Sequence, residues 1–319
     1  MKIIFFLFLA NVFLWATPTL KPIDSIEING TVKDMVLREN LLVVATDMGH
    51  IEVKDIDNNN SSIQNIAIPN VKDFMGDEIP ARVMSTDKIA NRYLLLSDSG
   101  KNGYSNLFIY DNNLTQILSA KDKEAIIKAR FIDKEHILLG YLSNEVALLD
   151  LKSKKESYRV QLSESKFSDF ALNVDKSQAV FACESGVLSV VDVKTGKILK
   201  ELKGQNLDNV YKVDFKKGMV SGAGQDRRGS LYDVNTGKGS YIAGAFLIYA
   251  TALSPSSSKV AFAMDEKNNI SIYNSSSKTK IALLKGQKST LNVIIFKDEN
   301  KIISASDDST ILVWDLKQK

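Results

Sequence analysis

Near its C-terminal end the chain carries a short pattern of apolar and polar positions that recurs upstream. From Asn300 the segment NKIISASDDSTILVWDL holds an apolar strand (Ile302 to Ala305), a tight polar turn at Asp307–Asp308 and an alternating strand from Ile311 to Trp314–Asp315. Decayed copies of that closing strand occur as HIEVKDI, NLFIYD, EVALLDL, VLSVVDV, SLYDV and ISIYN. Each copy closes on an acid or its amide, at Asp55, Asp111, Asp150, Asp192, Asp233, Asn274 and Asp315. The intervals between these positions are 56, 39, 42, 41, 41 and 41 residues. Self-similarity at a fixed period of this size marks a repeat architecture, and six intervals define seven units.

Each unit predicts further strands. An inner strand comes first, as in VYKVDF (Val210 to Phe215), TALSP (Thr251 to Pro255) and NVIIF (Asn292 to Phe296). A continuous apolar strand follows, such as YLLLS (Tyr93 to Ser97) or KVAFA (Lys259 to Ala263). After the closing acid comes an alternating polar strand, as in SYRVQL (Ser157 to Leu162) or ILKEL (Ile198 to Leu202), suited to an exposed rim. Period-two strands separated by Gly, Asn and Asp are an all-β signature. The expected fold is a seven-bladed β-propeller, a single domain over residues 17–319. Only four residues follow Asp315, too few for a seventh outer strand, whereas IDSIEI (Ile23 to Ile28) precedes the first inner strand (Val32 to Leu37) with no blade of its own. That N-terminal strand is expected to complete blade seven and close the ring, removing an open edge.

The first sixteen residues read differently. Lys2 is followed by an apolar run from Ile3 to Trp15, broken only by Ala10 and Asn11. Such a run is too short for a bilayer core of roughly 30 Å and suits a signal-peptide core, with cleavage expected after Ala16. A buried first strand is the alternative, disfavoured because nothing polar alternates with the apolar residues. Removal of the segment would leave no membrane span and place the mature chain in the periplasm. Cys183 is the single cysteine, so no internal disulfide can form, and stability must come from a large core. A formal charge of +3 on 319 residues is too small for a nucleic-acid binder, which must neutralise a run of phosphates.

The repeat resembles the WD-repeat family over nearly the whole mature chain, and blade seven matches best. That family joins a His, a Ser or Thr, a turn Asp and a Trp in a buried hydrogen-bond network. The resemblance assigns those places to Gln287, Ser304, Asp308 and Trp314, with Gln287 in KGQ where the family prefers Gly-His. A Gln amide still donates and accepts, so the fold survives the change. Three longer strings, NVKDFMGDE, QLSESKFSDFAL and AGQDRRGSLYDV, resemble a family of periplasmic WD-repeat accessory proteins encoded beside the periplasmic nitrate reductase. This second resemblance implies a non-catalytic role in assembling, maturing or supplying electrons to that enzyme, through protein partners among its components. A general envelope scaffold, for instance in outer-membrane assembly, and a cofactor-binding propeller enzyme are the alternatives.

Catalytic and metal signatures are thin. His50 and His136 are the only histidines and lie about two blades apart, and no CxxCH haem site occurs. DIDNNN (Asp55 to Asn60) lacks the central Gly and closing Glu of a calcium loop. SDSGKNG (Ser97 to Gly103) lacks the spacing and helix of a phosphate loop, and no GxSxG elbow is present. Cys183 in VFACES has no cation beside it to activate the thiol and reads as a buried structural residue. The expectation is a monomeric binding protein with no catalytic, cofactor or metal residues.

Candidate binding residues come from the break in rhythm. The interval from Asp55 to Asp111 holds about fifteen extra residues, divided between IPNVKDFMGDEIP (Ile68 to Pro80) and SDSGKNGYSN (Ser97 to Asn106). The first lies between the outer strand of blade one and the inner strand of blade two, the second between the second and third strands of blade two. In a propeller both connections emerge on one face, and insertions on a rigid scaffold are where binding concentrates. The first offers Phe74 and Met75 framed by Asp73, Asp77 and Glu78, unless Phe74 merely packs its loop onto the blade; the second offers Lys101 and Tyr104. Arg227 and Arg228 occupy the equivalent turn of blade five beside Asp226, either as a local ion pair or as a contact for a partner's carboxylate.

Overall fold

A computed structural model describes residues 17–58 and 60–318; the expected signal segment lies outside the described residues. β1 (Thr19–Leu20) and β2 (Asp24–Glu27) precede blade one, which is β3 (Val32–Arg38), β4 (Leu41–Thr46), β5 (His50–Asp55) and β6 (Ser61–Ala67). Six further sheets follow, and the seven form a ring in which each inner strand packs against the inner strands of its two neighbours. The chain is therefore a seven-bladed β-propeller. Among the described residues no helix is long and apolar enough to cross a membrane.

The hydrophobic core is divided into seven clusters, one at each seam between blades. A sheet in such a ring packs on both faces, which explains why the second strands are continuous apolar runs. Leu94, Leu95 and Leu96 alternate between the seam with blade one and the seam with blade three, and all three are fully buried. The outer strands carry less of this load, and Lys155–Gln161 alternates exposed and half-buried positions.

All seven third strands end on the acid or amide of the repeat: Asp55, Asp111, Asp150, Asp192, Asp233, Asn274 and Asp315. The reason lies in the turn that follows. Asp150, Asp192 and Asp233 each accept the backbone N–H three residues on, at 2.6, 2.8 and 2.9 Å. Such Asx turns satisfy the backbone where the chain reverses into the outer strand.

Closure follows the expected route. β2 pairs antiparallel with the last strand, Thr310–Asp315, with Ile26 opposite Ile311. Ile26 and Ile28 are buried in the seam between blades seven and one. The residues just before it add a contact that the repeat did not predict. β1 pairs in parallel with the outer strand Lys280–Leu284, making blade six five-stranded, and Leu20 enters the seam between blades six and seven.

Inside the ring, inner-strand aspartates pin neighbouring blades together. Asp34 accepts the N–H of Thr86 (2.9 Å), Asp87 that of Phe131 (2.9 Å), Asp169 that of Val213 (3.0 Å) and Asp214 that of Leu253 (2.8 Å). Arg130 binds Asp34 at 2.8 Å and Lys128 binds Asp169 at 2.5 Å. Burial alone would raise Asp34, but Arg130 and Lys128 outweigh it and hold its carboxyl far below the ordinary range. β-Bulges near the start of the inner strands set this register, for example between Val32 and Asp34 and between Phe167 and Asp169.

Candidate docking face

The connection from β6 to the inner strand Val83–Ile89 folds into a hairpin of its own, β7 (Val71–Lys72) paired with β8 (Glu78–Ile79). Asp73 holds its tip together. The Asp73 carboxylate accepts the N–H groups of Met75 (2.9 Å) and Asp77 (3.0 Å), and its carbonyl accepts Gly76 N–H (3.1 Å). With the backbone committed to that turn, the intervening side chains point outward. Phe74 is 95% exposed and Met75 74%. Phe74 therefore does not pack its loop onto the blade. Asp77 and Glu78 are exposed beside it, giving an apolar tip with an acidic base.

The second insertion leans against the first. Ser99 to Tyr104 forms a tight turn in which Tyr104 N–H donates to the Lys101 carbonyl (2.8 Å) and Ser99 N–H to the Tyr104 carbonyl (3.1 Å). Gly100 has φ +67°, and a Cβ there would lie 2.2 Å from the Lys72 carbonyl oxygen. Only glycine permits that approach, so the two insertions sit side by side. Lys101 is exposed and Tyr104 half-buried.

Across the ring, the two arginines of blade five separate. Arg227 is exposed at φ 63° on the turn. Arg228 folds back: its guanidinium stands 4.4 Å from the Tyr241 ring centroid, donates to the Gln205 carbonyl (3.2 Å) and lies 3.9 Å from Asp226. Asp226 is itself occupied by Asn206 Nδ2 (3.1 Å) and Leu207 N–H (2.7 Å). Arg228 thus braces the blade, and Arg227 stays exposed.

An aromatic group beside Arg227 was not anticipated. Tyr211 and Tyr249 stack at 5.4 Å, Phe246 lies 6.3 Å from Tyr249, and Tyr211 donates its hydroxyl to Gln225 (2.7 Å). Burial pushes the Tyr211 phenol up, so it stays protonated and able to donate. Leu207, 67% exposed, lies on the connection before the inner strand of blade five, with its N–H on Asp226. Tyr211 lies at the start of the inner strand of blade five, Val210–Lys216, and Phe246 and Tyr249 in the connection before the inner strand of blade six, Thr251–Leu253, at the same end of the strands as the insertions. Phe246 and Tyr249 fall in the apolar run AFLIYA, which reads as strand or core, and Tyr211 lies some thirty-five residues before them, so the sequence alone does not bring the three together.

The blade-seven network departs from the one the resemblance implies. Gln287 donates to the Ser304 carbonyl (3.0 Å) and hydroxyl (2.6 Å) and accepts from Ser306 (2.8 Å). Both ends of the amide are thereby used on one strand. Asp308 instead accepts Thr310 N–H (2.9 Å), and Trp314 Nε1 is buried without a hydrogen-bond partner. Gln287 and Ser304 are linked as expected; Asp308 and Trp314 stand outside, and Trp314 serves as a hydrophobe between blades six and seven. The other residues set aside from the sequence lie in ordinary positions. Cys183 is buried, His136 opens the strand His136–Tyr141 at 2.9 Å from Asp133, and Asp57 pairs with Lys297.

His50 is more elaborately placed. It is buried on β5 with Glu52 and Lys54, and Glu52 accepts Asn29 N–H (2.7 Å) and Lys54 (2.9 Å). This polar group ties β5 to the backbone just after the closing strand. No protein-family model and no curated protein matches the chain.

Proposed function

We propose that the chain is a non-catalytic docking scaffold whose partner binds the face carrying the β7–β8 hairpin. The supporting observation is the tip itself: two large apolar side chains almost wholly exposed on a hairpin whose backbone is internally bonded. A soluble surface gains nothing from displaying Phe74 and Met75 in that way, whereas a partner pocket that desolvates them does. Preorganisation by Asp73 and the Gly100 contact lowers the ordering cost of binding. The aromatic group near Arg227 offers a second anchor of the residue types enriched at interface hot spots, for a partner spanning the central opening.

The partner is inferred from the resemblance of NVKDFMGDE, QLSESKFSDFAL and AGQDRRGSLYDV to NapL, the accessory protein of the periplasmic nitrate reductase. On this reading the scaffold works in the periplasm, on components of that enzyme. NVKDFMGDE contains the hairpin tip, so the resemblance and the exposure fall on the same residues. The test is capture by tagged protein from periplasm of nitrate-grown cells, comparing wild type with Phe74→Ser/Met75→Ser. The expected result is recovery of nitrate reductase components with wild type and at least about a tenfold loss with the variant, at unchanged melting temperature. Equal capture by both proteins would refute the assignment of the face, and absence of those components from the wild-type eluate would refute the partner.

A further inference from the structure

The opposite face carries a different chemistry. The inner strands and the short turns after them enclose a cavity of about 900 Å³ on the channel axis. Its wall is partly apolar, with Val36, Phe170, Leu253, Ile294 and Phe296 among the lining residues. Its charge is not balanced. Nine Lys or Arg side chains line it, against four Asp or Glu.

Five of those cations are matched: Arg38 by Asp87, Lys128 by Asp169, Arg130 by Asp34, Lys216 by Asp214 and Lys297 by Asp57. The other four, Lys88, Lys176, Lys212 and Lys217, have no carboxylate partner among the described residues, and of the lining acids only Glu39 lacks a cation, since Asp34, Asp169 and Asp214 are paired. Lys88 and Lys176 donate once each, to the carbonyls of Ala90 (2.6 Å) and Phe131 (2.7 Å), leaving two donors apiece. Those bonds hold both ammonium groups near the turns of the inner strands. Lys212 lies deeper, half-buried on the inner strand of blade five, close enough to add to the field at Asp34 and at Lys128.

Surplus positive charge in a concave, partly apolar wall focuses the field on whatever enters. The volume falls within the range of small-molecule sites, and the wall supplies both apolar contact and several charge-assisted donors. A folded partner could cover this mouth but not fill it. We propose that the cavity binds a small organic polyanion, a di- or tricarboxylate or a phosphorylated compound, held by Lys212 within and by Lys88, Lys176 and Lys217 at the mouth. The site is independent of the docking hairpin, which lies on the other face.

Calorimetric titration of the whole chain with citrate and, separately, with pyrophosphate tests it, using Lys212→Gln, Lys176→Gln and the distant control Lys101→Gln. The expected result is saturable binding of at least one probe, weakened about fivefold or more by each cavity variant, unchanged by the control, and weaker at higher salt. Binding by citrate alone assigns a carboxylate ligand; binding by pyrophosphate alone assigns a phosphorylated one. Absence of heat with both probes, or equal affinity in wild type and both cavity variants while melting temperatures match, overturns the proposal. The Phe74→Ser/Met75→Ser protein must bind the probe as wild type does, so a failed site and a failed docking face are distinguishable.

Discussion

If β2 holds the ring shut, shortening the two buried side chains at that closure must weaken the whole molecule. Ile26 and Ile28 retain 4% and 5% of their accessible surface, and both sit in the cluster that joins blades seven and one. Changing a buried Ile to Ala removes its transfer free energy and leaves a cavity, at about 2–5 kcal/mol per site. The two positions share one cluster, so their costs need not add, and we expect about 4–6 kcal/mol for Ile26→Ala/Ile28→Ala. In a domain of this size each kcal/mol lowers the melting temperature by roughly 2 °C, which gives a drop of roughly 8–12 °C. Ile23, half exposed just before β2, provides the control, and Ile23→Ala stays within about 0.5 kcal/mol of wild type.

Thermal melts followed by circular dichroism measure all three proteins, with limited proteolysis as a second readout. Opening this seam unpairs Thr310–Asp315 along one edge, so the double variant should also be cut faster near both chain ends. The reasoning fails if the double variant melts within about 2 °C of wild type, because the seam would then contribute no more than an ordinary surface.

The blade-seven network gives a contrast between two substitutions. Gln287→Ala strands the buried hydroxyls of Ser304 and Ser306 and should cost about 1–3 kcal/mol per unsatisfied group, whereas Trp314→Phe strands no polar partner and costs only the buried volume the indole gives up, the smaller of the two. Denaturant melts that rank them the other way would refute this account. Acid stability should depend on Glu52. Burial pushes its carboxyl up, but His50, Lys54 and Asn29 N–H outweigh that and hold it at about 2, below the ordinary 4.5. A depressed carboxylate contributes stability that is present above 4.5 and lost as pH falls toward 2. His50 is raised, chiefly by its bond to Glu52, so its contribution is present below about 6.5 and lost as pH rises through its folded value. Glu52→Gln should therefore lose less stability than wild type between pH 4.5 and 2, and parallel melting curves across that window would count against the pairing.

What the sequence made legible is what a fixed period carries. The closing acid recurs because its oxygen accepts a backbone N–H of the turn that follows, as at Asp55, Asp150, Asp192, Asp233, Asn274 and Asp315, so the same residue type returns at the same spacing; Asp111, which pairs with Arg92, keeps the residue type without that bond. Ile23 to Ile28 could be matched to the open edge of blade seven because strand pairing there is counted, not guessed. β1 was not legible, since two residues added in parallel leave no alternation to read. The pins from Asp34, Asp87, Asp169 and Asp214 escaped for another reason. They depend on bulges that shift the register of the inner strand, and a bulge changes which way a residue points without changing what the residue is. Trp314 shows the limit of carrying a network across a resemblance: once an amide replaces the imidazole, both of its ends are satisfied on one strand and the indole is left outside.

The two faces acquire different capacities from the lengths of their connections. Turns after the inner strands are short, as between Arg38 and Leu41 or between Lys216 and Met219, and several place a non-glycine residue at positive φ, including Glu39, Lys176 and Lys217. Short turns of that kind cannot fold over the channel, so the mouth stays open and its lysines stay at the rim. On the other face the connections are long enough to make β7 and β8, and a hairpin bonded within itself can project apolar groups beyond the ring. A propeller with a lengthened connection on one face and tight turns on the other can thus hold a protein above and a small anion below, without either site competing for the same strands.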